Sequence, residues 1–292
     1  LSSRTAFAVA LIAALALCLG CGRGSATGDV ESLLARGWKA YATGDFDFAV
    51  RQFEAARKGA GLTVEQEYSA VLGLATVYHY QPNPALDRAQ EFYLILSGLD
   101  HPGAETQSLL GLARVDMARG ERLEAQSRLN QLVERYPDSQ PADEAVLQLA
   151  DLLTRPTFDE ARPGDFDLPA PPLVERTVLI LTERLEKRPH NHLASAMHMM
   201  LANIFVQTGE FTQAVEHLIA ADEEGIAVVK TRGTVLWRIA RIAEKDLQDY
   251  ELAARYYEMY VEEFQRTALY YRALMSLKRV RELAGETEAD SA

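Results

Sequence analysis

The chain has 292 residues, 48% of them hydrophobic and 25% charged, so it carries enough apolar surface for a sizeable core. Its 42 acidic side chains outnumber 30 basic ones and leave a formal net charge of −12. A nucleic-acid binder needs a basic footprint to displace counterions from phosphates, so neither DNA nor RNA is an expected partner. The two cysteines, Cys18 and Cys21, both lie in the first segment, and the rest of the chain can hold no disulfide framework or thiolate metal site.

The first segment places one basic residue, Arg4, ahead of an apolar run from Ala6 to Leu19. That run is too short for an ordinary membrane span, which needs about 20 residues, and has the flanks of a secretory signal's apolar region. It ends on Gly20-Cys21, which resembles a bacterial lipobox, although Cys18 stands where leucine is usual. The resemblance implies residues 1–20 as a lipoprotein signal peptide and Cys21 as the lipidated residue. Residues 21–29, rich in Gly and Ser, then read as a flexible tether. Gly22 after the cysteine, in place of Asp, implies sorting to the outer membrane of a Gram-negative cell, on its periplasmic face.

From Asp29 onward nearly every periodic stretch is helical, and Gly and Pro fall mainly between such stretches. The pattern is clearest in 201–221. There Ala202 and Ala214 are small residues placed for a helix crossing, and a Thr208-Gly209-Glu210 turn separates two amphipathic segments. Residues 33–56 repeat it with Gly37, the turn Gly44-Asp45-Phe46, and Ala49, Phe53 and Ala56. A further copy has Ala70, Gly73 and Ala75, a lengthened QPNPALD loop, then Ala89, Tyr93 and Leu96. The next has Ala113, Gly120, Ala125, Leu129, Leu132 and Pro137.

These residues resemble the tetratricopeptide repeat, a 34-residue helix–turn–helix unit whose small residues mark close helix crossings. Spacing supports the reading. Ala49 to Ala89 is 40 residues, Ala89 to Ala125 is 36 and Ala214 to Ala253 is 39, each one repeat with a small insertion. Ala125 to Ala214 is 89, and most of the excess over two repeats is the Pro-rich insertion at 155–172, whose five prolines interrupt a fourth repeat. A sixth repeat uses Trp237, Ala240, Tyr250, Ala253 and Tyr257. A last helix over 268–283 turns Leu274, Leu277 and Val280 to one side and Lys278, Arg279 and Arg281 to the other, as a cap would. The expected fold is therefore all-α over 30–285: a TPR-like helical solenoid, a right-handed superhelix of about six repeats plus a capping helix. Residues 286–292 read as a disordered tail.

A narrower resemblance lies at the repeat junctions. Tyr136-Pro137-Asp138-Ser139 followed by Ala142, Ala145, Leu149 and Ala150 looks like the junction of periplasmic repeat lipoproteins. These are the outer-membrane assembly lipoprotein of the BamD/YfiO type and the Tol-Pal-associated periplasmic TPR proteins. Phe264-Gln265-Arg266-Thr267 echoes it without the proline.

Signatures of common enzymes are missing: the chain has no HExxH, no GxxxxGK[ST] and no GxSxG. His190, His192 and His198 cluster, but a six-residue spacing sets the last two on different helix faces, so no metal site and no cofactor are expected. In the resembled family the first helix of each repeat lines a groove. Position by position this selects Trp38 and Tyr41 in the first repeat, Arg114 in the third, Met199, Asn203 and Gln207 in the fifth, and Arg238 in the sixth. Trp and Arg anchor interfaces, and Asn or Gln can clasp a peptide backbone. Trp38 and Met199 could equally fill the packing between repeats. In the insertion, Phe158, Phe166 and Leu168 among acidic residues mark a second candidate surface.

Taken together these features describe a non-enzymatic, lipid-anchored scaffold. Its expected partners are other envelope proteins or extended peptide segments, with the membrane reached through the N-terminal lipid and no small-molecule substrate. Outer-membrane protein assembly is the leading role. The alternatives are an envelope coordinator or pilotin-like factor for cell division, secretion or pilus machinery, and, in another class, a metal-dependent enzyme.

Overall fold

The computed structural model describes residues 26–154, 157–158, 166–167 and 171–290. Cys21, the signal segment before it and Leu168 lie outside the described residues. Thirteen α-helices occupy the described residues, in pairs: α1 (Ala26–Thr43) with α2 (Phe46–Arg57), and α3 (Val64–Tyr80) with α4 (Leu86–Ser97). Next come α5 (Ala104–Arg119) with α6 (Arg122–Arg135), and α7 (Gln140–Thr154) with α8 (Pro171–Lys187). They are followed by α9 (Ala194–Thr208) with α10 (Phe211–Glu223), and α11 (Val229–Ile242) with α12 (Tyr250–Glu263). A last helix, α13 (Tyr270–Asp290), stands without a partner of its own repeat. The order is the six pairs and terminal helix anticipated, and the fold is all-α. None of the described helices is long and apolar enough to cross a membrane.

The hairpin turns share one chemistry. Gly44, Gly120 and Gly209 sit at φ 83°, 82° and 81°, a left-handed conformation that costs glycine nothing. The residue after each donates its N–H to the carbonyl of a residue five back: Asp45 to Ala40, Glu121 to Asp116, Glu210 to Phe205. The last pair has no such glycine. There a π-helical turn, Ala243–Leu247, extends α11, and Gln248 takes the left-handed place at φ 56°. Where turns are longer, side chains cap the next helix. Thr63 and Gln66 form a reciprocal capping box at α3, and Asp249 caps α12 by accepting from Leu252 N at 2.9 Å.

Two compact units divide within α7, Leu1–Ala145 and Val146–Ala292. In the first, the core is built on Ala49, Phe53, Ala70, Leu74, Ala89 and Leu96, all fully buried. Phe53 lies between two glycines: a Cβ on Gly37 would fall 2.7 Å from its ring and one on Gly73 2.6 Å. Gly111 stands likewise against Tyr93. In the second unit, Ala202, Leu218, Leu236, Ala240, Ala253 and Tyr257 form the core. The small residues picked out by spacing are indeed at helix contacts, with Ala49, Ala125, Ala202, Ala214 and Ala253 all at 0% exposure.

The junction motif has the same geometry at both places where it occurs. Ser139 N donates to Tyr136 O and Thr267 N to Phe264 O, at 3.1 and 3.2 Å, and each hydroxyl bonds the same carbonyl. This starts the next helix after a short break, without needing the proline.

Several boundaries differ from expectation. Helix α1 begins at Ala26, inside the stretch read as a tether, and α13 continues to Asp290, through most of the stretch read as a disordered tail. The insertion ends earlier than 172, because Pro171 and Pro172 open α8, where a missing N–H is harmless. Its backbone holds a two-residue antiparallel pairing, Thr157 with Asp167 and Phe158 with Phe166, that the helical reading did not foresee. On α13 the buried stripe is Ala273, Leu277 and Val280, while Leu274 is 39% exposed. Arg279, placed on the side opposite that stripe, ion-pairs with the buried Glu244.

Candidate functional site

In the first unit the leading helices of successive pairs pack on one another, α1 on α3 and α3 on α5. Their shared face gathers polar and aromatic groups from positions far apart in sequence. Trp38 and Tyr41 come from α1, His79 and Tyr80 from the end of α3, and Arg114 from α5, which pairs with Glu144 on α7. Helix α3 ends here because Pro82 and Pro84 follow, so His79 and Tyr80 fall on its last turn.

The groups sense one another. Burial first, then the Tyr80 phenol, push Tyr41 up to about 12, with the Arg114 charge opposing. Burial and the Arg114 charge drive His79 down to about 4, so its imidazole is neutral at pH 7. Burial works against the Arg114 cation, yet Tyr80, Glu144 and Tyr93 together hold its pKa above the ordinary value. The His79 Nδ1 is buried and has no hydrogen-bond partner among the described residues. The Tyr41 phenol likewise makes no hydrogen bond among the described residues. The half-buried Tyr41 phenol, unfilled beside a fixed ion pair, can receive a backbone amide or carbonyl from outside, whereas the buried His79 Nδ1 is closed to one.

Trp38 has a different role. Its indole N–H donates to Ser69 Oγ at 3.1 Å and its ring meets Phe53 edge-on at 5.1 Å, so it ties α1 to α3. The packing alternative is the one that describes it.

In the second unit Met199, Asn203 and Gln207 lie along one stripe of α9 at four-residue spacing. Met199 is half-buried, and the Asn203 and Gln207 amides are exposed and unbonded among the described residues. Met199 and Arg238 line one shallow depression of about 270 Å³ with Lys230, Thr231, Thr234 and Val235. Thus the two sequence-selected residues from different repeats, Met199 and Arg238, are brought together within the second unit. For Phe158 and Phe166 only the backbone pairing is described.

The histidines of 190–198 do not converge. His190 Nδ1 is 2.9 Å from Glu224 Oε1, and His198 Nδ1 is 2.9 Å from His217 Nδ1. Among the described residues no group of three His, Cys, Asp or Glu is placed to hold a metal ion. Sequence reasoning missed His79, Tyr80, Glu144 and Lys230. Glu144 had a signal, since it lies 30 residues after Arg114 on the next leading helix; His79 and Tyr80 were hidden by the lengthened loop after them.

Residues 107–139 and 234–267 match the family model described as "Tetratricopeptide repeat", and both matches end on the junction residues Ser139 and Thr267. No curated protein matches the chain at the sequence level. Among solved structures it is similar to Pseudomonas aeruginosa pilF, at 13% identity and TM-score 0.55, covering 85% of this chain and 97% of that one. It is also similar to TTC0263, a thermophilic TPR protein of Thermus thermophilus, at 17% identity, TM-score 0.40 and coverage of 85% and 98%. A tetratricopeptide repeat protein from Parabacteroides merdae aligns at 15% identity, TM-score 0.35 and coverage of 86% and 99%. The chain therefore carries tetratricopeptide repeats in an all-α TPR fold, the architecture of a protein–protein interaction scaffold.

Proposed function

We propose that this chain is a non-enzymatic scaffold, anchored through lipidated Cys21 on the periplasmic side of an outer membrane, that holds extended segments of envelope proteins for outer-membrane assembly. The observation that carries the binding role is the leading-helix face of the first unit, where the half-buried Tyr41 phenol stands unbonded among the described residues beside the Arg114–Glu144 pair. Such a group costs stability unless a ligand completes it, which is a reason for it to exist at a binding face. The anchor rests on the Gly20-Cys21 motif, and the envelope role on the junction at Tyr136–Ser139.

A photocrosslinking side chain placed at Tyr41 in intact cells tests the reading. Capture of barrel-assembly components, with lower barrel levels on depletion, is the expected result. Unchanged barrel levels remove the assembly role, and capture of a secretin, pilus component or peptidoglycan enzyme selects the pilotin-like or coordinator alternative. Failure of a Cys21→Ser variant to lose labelled fatty acid removes the anchor.

A further inference from the structure

Acidic residues outnumber basic ones in this chain by 42 to 30, yet two stretches of its second unit hold no acid at all. Residues 225–243, which contain α11, carry Lys230, Arg232, Arg238 and Arg241. Residues 264–281, which contain the first half of α13, carry Arg266, Arg272, Lys278, Arg279 and Arg281. Three of these cations are answered from outside the two stretches: Arg232 by Asp222 and Glu263, Arg279 by Glu244, and Arg281 by Glu258. The others, Arg238 and Arg241 among them, have no ion pair among the described residues.

What sets α13 apart is an apolar strip between its cations. It is the last helix and packs chiefly on α12, with Ala273, Leu277 and Val280 turned inward. On its outer side Tyr271, Leu274, Met275 and Lys278 follow one another at the spacing of a single helical stripe. All four are exposed, Tyr271 at 70% and Met275 at 47%. At roughly 100° per residue, Arg281 flanks this strip on one side, and Arg272 and Arg279 flank it on the other. Arg272 lies over the Trp237 ring at 5.7 Å and still remains exposed. Acids resume at Glu282, which bounds the face to about three turns. Leu123 on α6 is also strongly exposed, but it stands between Arg122 and Glu124 and belongs to no such strip.

We propose that the outer face of α13 docks on an anionic lipid surface, with Tyr271, Leu274 and Met275 entering the headgroup layer and Arg272, Lys278 and Arg281 meeting lipid phosphates. Charge and apolarity together select this occupant. Basic stems reach to the phosphates while apolar tips go deeper, and a tyrosine favours the boundary between the two. A bilayer interface takes both kinds of group at once, and anionic headgroups attract clustered Lys and Arg. An acidic protein surface would answer the cations but leave Tyr271 and Met275 against polar groups. The Arg281–Glu258 pair is exposed on both sides, so the arginine exchanges its carboxylate for a phosphate at little cost. This contact goes beyond the lipid anchor, because it needs neither Cys21 nor the face around Tyr41.

The test uses the chain from Gly22 to Ala292, which keeps every described residue and contains no cysteine. A Met275→Cys variant carrying an environment-sensitive fluorophore is mixed with vesicles of phosphatidylcholine and phosphatidylglycerol, two to one, and with vesicles of phosphatidylcholine alone. The expected result is a severalfold rise in emission with the anionic vesicles and none with the neutral ones. The same fluorophore on Leu123→Cys responds to neither. In vesicle flotation of the unlabelled chain, Arg272→Gln with Lys278→Gln lowers affinity for the anionic vesicles at least about tenfold. Tyr271→Ser with Met275→Ser lowers it as well, and leaves the Tm in place because both side chains are exposed. Equal binding to the two vesicle types, a silent label on Met275→Cys, or unaltered affinity in either double variant overturns the proposal. A response of that label to polyglutamate and not to anionic vesicles assigns the face to an acidic protein and overturns it equally. The chain tested lacks Cys21, and capture through Tyr41 is read on other residues, so this reading fails separately from the anchor and from the partner-binding role.

Discussion

Glu244, 4% exposed on the π-helical turn, accepts hydrogen bonds from Arg279, thirty-five residues later on α13, one of them from Arg279 Nε at 2.9 Å. Tyr257 donates to its other oxygen at 2.8 Å, and Lys245 Nζ lies 2.9 Å away. The irregular end of α11 has a structural consequence. The π turn brings a carboxylate under the terminal helix, where three donors compensate its burial.

Removing one side of such a group strands the other. Glu244→Leu leaves the Arg279 cation and the Tyr257 phenol without their acceptor, and a loss of about 3 kcal/mol in urea denaturation is expected. Arg279→Gln, at the more exposed partner, costs less. Burial raises the Glu244 pKa, but Lys245, Tyr257 and Arg279 outweigh it and hold it below the ordinary 4.5. Its contribution is therefore present above about pH 4.5 and disappears as pH falls through the lowered value. A Glu244→Leu chain as stable as the parent would contradict this account.

Gly73 predicts a reversal of the usual helix preference. In an open helix Gly→Ala gains about 1 kcal/mol. Here the new methyl would meet the Phe53 ring at 2.6 Å, and overpacking of that kind costs about 1–3 kcal/mol. Gly73→Ala is expected to lower stability, and Phe53→Leu in the same chain to return part of the loss. A double-mutant cycle by thermal denaturation measures the coupling, and additive effects would show that the two side chains do not meet.

Acid should act through His79 and His217. Burial, then the Arg114 charge, lowers His79 to about 4, and burial, then His198, lowers His217 to about 4, against an ordinary 6.5. Both folded values lie below the unfolded one. The neutral rings' contribution is complete above about pH 6.5 and is lost as pH falls towards 4, up to about 3 kcal/mol for the buried His79. Histidine resonances followed by NMR should titrate near pH 4, and His79→Phe should flatten the stability profile across that window. A His79 titration near 6.5 would refute the burial argument.

Trp38 and Tyr41 separate stability from binding. Trp38→Phe loses the bond to Ser69 and part of the Phe53 contact, and about 1–2 kcal/mol of stability with it. Tyr41→Phe loses only an unbonded phenol, so its melting temperature should hold while captured partner falls severalfold. Undiminished capture by Tyr41→Phe would move the contact elsewhere on the face.

The sequence alone determined the helices, their pairing and their number. Alanine and glycine at fixed spacing announce where backbones touch, and a glycine before an acidic residue announces three of the turns. Those signals are local, set by what one residue's size or φ permits. It also proposed Tyr41, Met199 and Arg238 as candidates, because a repeat carries the same face at the same offset each time. What only the tertiary structure decided was the partner each side chain takes. That Trp38 gives its N–H to Ser69, that Arg114 meets Glu144, that Arg279 is drawn in to Glu244 while Arg238 is left alone, depends on distances across repeats. No spacing rule encodes them, because insertions such as the loop after Tyr80 and the π turn at Ala243–Leu247 shift the register between one helix and the next. Charge pairing is decided over a few ångströms, and those ångströms are set by packing.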